Sequence, residues 1–249
     1  MQWLFELCNE HHYVTWNKRE QDGVVQLFFC HPKGSTLAQC FPTLVILDCT
    51  YKTNQWRMPL LHFVGVTSTN HTFTIAYCFM PGEKVEDYIW ALKRLKDLYS
   101  DGCLPSLFIT DDDQQLQTGV AEVFPEAKNL LCAFHIKRNV CANFKKSMNK
   151  DTPEDLEKIK ADWDILWMSE SEAMYKINLN YVERLWGKTY PNWISYVKTQ
   201  WLARKEKFVY AWTIEIKHFG NRTTNRVEGQ HAILKRASRF VHHLREVKT

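Results

Sequence analysis

Several features that would assign the chain to a membrane or secreted class are missing from its 249 residues. No run approaches the about eighteen uninterrupted apolar residues that a membrane helix needs. The first residues lack the basic segment and the long apolar segment of a signal peptide. The eight cysteines are spread singly from Cys8 to Cys141 without CxxC spacing, so a disulfide framework is not indicated. We therefore expect a protein of a reducing compartment without a membrane partner.

Positive charge is present in excess but is concentrated in two blocks. The net charge of +4 is weak support for a nucleic-acid partner. Residues 128–150 contain no acid, and residues 217–248 contain two, whereas 151–172 is strongly acidic. A charged run is often only a solvated surface, but these two blocks flank the candidate catalytic residues. The DNA-binding candidates that they supply are Lys137, Arg138, Lys145, Lys146, Arg226 and Lys235.

Hydrophobic periodicity divides the chain into strands and helices. Five apolar segments have strand length: 44–47, 60–68, 72–80, 107–109 and 130–134. Apolar residues at steps of three and four indicate a helix after the third of these segments and another after the fourth. Beyond about residue 136 only helices are predicted. This order predicts an α/β fold with a mixed five-stranded sheet flanked by helices.

Two of the predicted strands run into carboxylates. The first ends at Asp48, and the fourth is followed by Asp111, Asp112 and Asp113. An Asp after a strand is also a common turn former, and Asp113 is a plausible helix cap. If the strands are parallel neighbours, the carboxylates lie about 4–5 Å apart and repel by roughly 4 kcal/mol at an effective dielectric of about 20. Mg²⁺ or Mn²⁺ suits such oxygen-rich clusters, and paired ions support phosphodiester cleavage.

Longer motifs around these acids resemble those of Mutator-like element transposases. The stretch Leu47–Asn54, LDCTYKTN, resembles the first-acid motif. Ile109-Thr110-Asp111, with the downstream Leu131–His135, LCAFH, resembles the second. Thr224–His231, TNRVEGQH, resembles the third, with Glu228 as the final acid. Several motifs in this order are more specific than the spacing of three acids alone.

The resemblance implies an RNase H-like core whose last acid follows a helical insertion. The implied segments are an N-terminal helix and hairpin at 1–40, the first part of the core at 41–144, the insertion at 145–220 and the C-terminal helix at 221–249. Asp48, Asp111 and Glu228 become the catalytic triad, which binds two Mg²⁺ or Mn²⁺ ions. Asp111 is favoured over its neighbours because the family acid directly follows the strand-ending Thr.

Three further residues have competing interpretations. The family likeness includes Cys132 and His135, which together supply at most half a zinc site, so zinc is not expected. A structural or DNA-positioning role is favoured for this pair. Glu228 lies three residues after Asn225, which is the spacing of a capping box as well as of the third-acid motif. The remaining histidines, including His62, have no spacing argument and are expected at the surface or in packing.

Two functions from different classes fit these observations. The first is a DDE-type transposase that cuts DNA strands and transfers them in the nucleus, as a homo-oligomer assembled on DNA ends. The second is a domesticated protein similar to the plant far-red-impaired-response regulators, which resemble these transposases and act as DNA-binding transcription factors. The presence of all three acids favours retained chemistry. A stand-alone nuclease of the RNase H or integrase type is less favoured, because the TYKTN and Cys-x-x-His contexts match Mutator-like proteins.

Overall fold

The secondary structure of the chain is distributed over two units. A computed structural model describes residues 1–21, 23–54, 56–100, 102–148, 153–232 and 234. Met1–Asn129 and Thr224–Thr249 form the first unit, and Leu130–Thr223 form the second. Within the described ranges, no helix is long and apolar enough to cross a membrane.

Seven strands form one mixed sheet in the order β1-β2-β5-β4-β3-β6-β7. The strands are β1 Val14–Glu20, β2 Gly23–Cys30, β3 Leu44–Thr50, β4 Leu60–Val66, β5 Thr72–Phe79, β6 Leu107–Thr110 and β7 Lys128–Leu131. Strand β4 pairs antiparallel with both β3 and β5, whereas β3 and β6 are parallel. The predicted mixed α/β architecture is thus confirmed.

The predicted number of five strands is wrong, because the N-terminal hairpin belongs to the same sheet. Strand β2 pairs antiparallel with β5 through Leu27 and Phe79, Phe28 and Cys78, and Phe29 and Tyr77. Strand β1 then pairs with β2 and forms the outer edge. Phe28 is fully buried in the core of this unit, so apolar burial as well as backbone pairing holds the hairpin to the sheet.

Two strand boundaries also differ from the prediction. Strand β3 continues through Asp48 to Thr50, because Cys49 and Thr50 pair with Leu61 and Leu60 of β4. Strand β7 ends at Leu131, and a helix begins at Ala133. The segment predicted as the fifth strand therefore becomes helical at its last two residues.

The first unit also contains helices. They are α1 Gln2–Glu10, α2 Pro32–Cys40, α3 Val85–Lys96, α4 Gln114–Val123 and α10, which spans residues 225–232. Tyr88 and Leu92 of α3 are fully buried with Val45 and Leu47 of β3. The apolar residues at steps of three and four in α3 and α4 thus form one face of each helix, and that face is buried in the core of this unit.

In the part of the second unit that the structure describes, the regular elements are helices apart from Leu130 and Leu131, the last residues of β7. Its elements are α5 Ala133–Ser147, α6 Pro153–Trp167, α7 Glu172–Trp186, α8 Pro191–Tyr196, a π-helical segment Val197–Trp201, a 3-10 helix Leu202–Lys207 and α9 Tyr210–Thr213. Tryptophans form much of its core, and the indole groups of two of them donate to acceptors in this unit. Trp186 Nε1 donates to Asp162 Oδ2 at 2.7 Å and Trp193 Nε1 donates to the Val140 carbonyl at 3.2 Å. The predicted insertion, 145–220, falls within this unit.

Candidate active site

Asp48 lies on one of two neighbouring parallel strands, and Asp111 directly follows the other. The pairs Leu44–Leu107, Val45–Phe108 and Ile46–Ile109 define the register of β3 against β6. Asp48 lies in β3 two residues after the last of these pairs, and Asp111 follows β6, which ends at Thr110. The prediction that the two acid-bearing strands are parallel neighbours is confirmed.

The two aspartates that follow Asp111 have other contacts. Asp113 caps α4, because its Oδ1 accepts hydrogen bonds from Gln115 N at 2.8 Å and Leu116 N at 3.0 Å. Its Oδ2 also accepts from the Tyr88 hydroxyl at 2.8 Å. Asp112 Oδ1 accepts from Gln117 Nε2 at 3.3 Å. These contacts give Asp113 a structural role as a helix cap, and the choice of Asp111 as the second acid rests on the family motif.

Asp48 lies beside two histidines. Its carboxylate is only 10% exposed, and Oδ2 is 3.6 Å from His231 Nδ1. His62 pairs directly with Asp48 across β3 and β4, so its side chain shares that face of the sheet. The rings of His62 and His231 have centroids 5.3 Å apart. A carboxylate and two imidazoles therefore form the centre of the site.

His62 is a member of this site that the sequence prediction missed. It is fully buried, its Nε2 is 3.0 Å from Thr74 Oγ1, and its ring stacks on Tyr77 with centroids 4.2 Å apart. Burial and then the nearby His231 lower the pKa of His62 to about 3, so the ring is neutral at pH 7. Counting residues outward from the β3–β4 hairpin would have paired His62 with Asp48. The packing role expected for this residue is correct, but its place beside Asp48 was not foreseen.

Helix α10 supplies Glu228 and His231 from one end of the chain. The helix begins after Thr224, whose carbonyl accepts from Val227 N at 2.8 Å and Glu228 N at 3.1 Å. Asn225 is therefore the first helical residue and not the cap, and Glu228 does not hold the capping-box position. Val227 is fully buried and His231 is 6% exposed, whereas Glu228 is half-buried. Glu228 thus lies at the edge of the buried stripe, one turn before the residue that contacts Asp48.

Arg226 fastens the beginning of α10 to the turn between β4 and β5. Its Nη1 donates to the Asn70 carbonyl at 3.0 Å and to Thr72 Oγ1 at 2.7 Å, and its Nη2 donates to Asn70 Oδ1 at 2.6 Å. The DNA contact predicted for Arg226 stays a prediction. Lys235, the other candidate of this block, lies outside the described residues.

The donor chemistry of the three acids fits a hard divalent cation, but their spacing does not complete a cage. Carboxylate oxygens are the ligands that Mg²⁺ and Mn²⁺ prefer. Burial raises the pKa of the Cys49 thiol well above its usual value, and the charges of Asp48 and Asp111 are among the further causes. Among the residues that the structure describes, no three His, Cys, Asp or Glu side chains are grouped closely enough to hold one metal ion.

Cys132 and His135, in the second unit, have a structural explanation for their spacing. Cys132 is the N-cap of α5, and its Sγ accepts a hydrogen bond from His135 N at 3.5 Å. The side chain of an N-cap residue normally accepts from the backbone N–H two or three residues later. Cys132 is fully buried, which suits a cap inside the unit. Helix capping therefore gives Cys132 a structural role, whereas the bond uses the backbone N–H of His135 and not its imidazole.

The basic block of the second unit lies largely on α5. Lys137 Nζ is 2.5 Å from Asp164 Oδ2 of α6, so the charge of this lysine is already partly neutralised. Arg138, Lys145 and Lys146 are exposed. The predicted DNA contacts of these four residues stay predictions. The structure shows that Lys137 is paired with an acid and that the other three side chains are exposed.

Comparisons with known proteins agree with the resemblance in the motifs. Residues 44–139 match the family model of the MULE transposase domain. A transposase for insertion sequence element IS1201 from Lactobacillus helveticus is 26% identical over 62% of this chain and 40% of its own length. Protein FAR1-RELATED SEQUENCE 6 from Arabidopsis thaliana is 21% identical over 79% of this chain and 26% of its own length. The PKS-NRPS hybrid synthetase cheA from Chaetomium globosum is 23% identical over 90% of this chain and 5% of its own length.

The chain covers less than half the length of each of these relatives. The matched segment runs from β3 into α5 and includes Asp48, Asp111, Cys132 and His135. Both a transposase and a plant FAR1-type protein are among the relatives. Residues 44–139 of this chain are therefore similar to the MULE transposase domain.

Proposed function

We propose that this chain is the catalytic domain of a DDE-type DNA transposase with an RNase H-like core. The observation that supports the proposal is the parallel pairing of β3, which contains Asp48, with β6, which Asp111 directly follows. The relation to a transposase from Lactobacillus helveticus supports DNA as the substrate. Action on chromosomal DNA in a nucleus, by copies assembled on DNA ends, belongs to the same proposal.

Asp48, Asp111 and Glu228 are the residues that would hold Mg²⁺ or Mn²⁺. When bound, such ions activate water and stabilise the leaving oxygen in phosphodiester cleavage. His231, 3.6 Å from Asp48, positions that carboxylate. Arg226 fixes α10 against the sheet through Asn70 and Thr72 and so sets the position of Glu228. Exposed lysines of α5 bind the DNA backbone.

Single substitutions of the three acids test this proposal. The full-length protein is incubated with plasmid DNA containing the repeats that flank its gene, in Mg²⁺ or Mn²⁺, and nicked products are quantified. Asp48→Asn, Asp111→Asn and Glu228→Gln should each reduce cleavage by at least about 100-fold, because each removes a charged metal ligand while preserving shape. DNA affinity measured in EDTA should change little.

Asp113→Asn is the matched control for these variants. It changes a carboxylate of the same segment that caps α4 and accepts from Tyr88. Asparagine caps helices about as well as aspartate, so stability should change little and cleavage should persist. If Asp113→Asn abolishes cleavage and Asp111→Asn does not, the second acid has been assigned to the wrong residue.

A DNA-binding transcriptional regulator without catalysis is the second candidate. It is supported by the FAR1-type relatives and by the lack, within the described ranges, of a group of three side chains that could hold a metal. This function predicts that the wild-type protein binds DNA but yields no nicked product in either cation. The substitutions of Asp48, Asp111 and Glu228 would then leave its DNA affinity unchanged.

A further inference from the structure

A groove between α5 and α6 lies within the second unit, on a different helix face from its tryptophan core. Its volume is about 310 Å³, at the lower end of the range for sites that enclose small organic groups. Phe134 forms one wall, and Cys141, which is 8% exposed, lies in the floor. We call this feature, with the four cations described next, the α5–α6 groove.

Four cations surround the groove: Lys137, Arg138, Lys145 and Lys160. Two of them are paired with acids of α6, since Lys137 contacts Asp164 at 2.5 Å and Lys160 contacts Glu157 at 2.6 Å. Four positive charges against two carboxylates leave the groove with an excess of two positive charges. An anionic ligand is therefore favoured.

Phe134 distinguishes the groove from a simple basic surface. Its ring is 41% exposed, although it lies on the second residue of a helix that buries its other large apolar residues, Ile136, Val140 and Phe144. An exposed aromatic ring between cations is the arrangement with which proteins bind single-stranded nucleic acid, because bases stack on the ring and phosphates contact the cations. In a duplex the faces of the bases are stacked on one another and cannot pack on this ring.

We infer that the α5–α6 groove binds a single-stranded segment of DNA, with an unpaired base on Phe134 and the flanking phosphates on the surrounding cations. The inference rests on the proposed function only in taking DNA as the ligand. The inference goes beyond the sequence prediction in three respects. It specifies that the DNA is single-stranded, it assigns a stacking contact to Phe134, and it adds Lys160 to the binding residues.

The chain offers a control charge to test the position of this site. Lys145 of α5 lines the groove, whereas Lys176 is an exposed lysine of α7 that does not line it. Binding of fluorescent oligothymidylate to the full chain is measured by anisotropy in EDTA. Lys145→Glu should weaken binding by at least about ten-fold and reduce the salt dependence, whereas Lys176→Glu should change affinity by less than about three-fold. Equal losses in the two variants would overturn the site.

Phe134→Leu tests the stacking contact, since it keeps an apolar side chain and removes the ring. Affinity for oligothymidylate should fall by at least about five-fold, corresponding to about 1 kcal/mol, and affinity for a duplex of equal length should be unchanged. An unchanged affinity for oligothymidylate, or an equal loss for duplex, would overturn the inference. Because binding in EDTA requires no cleavage, failure of the groove and failure of the catalytic proposal are separate outcomes.

Discussion

Protonation of His62 must oppose folding, because its imidazole is fully buried against Tyr77 and beside His231. The pKa of His62 is lowered to about 3 in the folded chain, whereas an unfolded histidine titrates near about 6.5. Between these values the unfolded chain binds the extra proton. The contribution of neutral His62 to stability is thus complete above about pH 6.5 and is lost by up to about 1.4 kcal/mol per pH unit as the pH falls towards about 3.

The variant His62→Gln should therefore flatten this part of the stability profile. Glutamine does not titrate and can still hydrogen-bond to Thr74. Urea unfolding at several pH values between about 7 and 4 measures the slope, which is independent of any constant loss of stability from the substitution. His11→Gln, on the exposed C-terminal side of α1, is the control and should leave the slope unchanged. An unaltered slope in His62→Gln would assign the acid sensitivity to other groups.

At the scale of elements, two helical glycines differ in whether their surroundings leave space for a side chain. Gly34 of α2 lies so close to β5 that a Cβ would be 2.7 Å from the Ile75 carbonyl and 2.9 Å from the Thr74 carbonyl. These are backbone atoms and cannot move aside cheaply, so Gly34→Ala should destabilise the chain by about 1–3 kcal/mol. At Gly229 of α10, a Cβ meets no atom of the described residues within 4 Å, so Gly229→Ala should stabilise by about 0.5–1 kcal/mol. Thermal unfolding of both variants checks the two signs, and a loss in both would disprove the packing assignment for α10.

The elements also show what periodicity can predict. It located β3, β4, β5, β6, α3 and α4, because each has an apolar pattern that its own burial satisfies. It did not place the N-terminal hairpin in the sheet, because strand partners far apart in sequence leave no local pattern. It missed α2, whose residues Pro32–Cys40 contain few large apolar side chains.

Only part of the candidate site could be predicted from the sequence. The strand-ending acids and the family motifs brought Asp48 and Asp111 together without a structure. The cap of α10 at Thr224 could not be chosen over Asn225, since both residue types cap helices. The contact of Asp48 with His231 depends on how α10 packs on the sheet, which no short-range pattern specifies.

At the scale of the whole molecule, the family match and the folded units have different boundaries. The match covers residues 44–139, whereas the first unit begins at Met1 and the second begins at Leu130. The matched segment thus omits β1, β2 and α2, although Phe28 and Ala38 from these elements are fully buried in the first core. It also omits α10, which carries Glu228. A boundary defined by sequence likeness therefore does not define a unit that can fold.

The N-terminal hairpin has a consequence for solubility. Strand β2 occupies the hydrogen-bonding groups of β5, and β1 ends the sheet with the exposed charges of Lys18, Arg19 and Glu20, which discourage pairing with another molecule. A fragment that begins at residue 44 would present β5 as a bare edge and should form aggregates detectable by light scattering. A fragment that begins at residue 12 keeps the hairpin and should stay monodisperse, so the charged outer strand acts as the chain's own protection against edge-to-edge association.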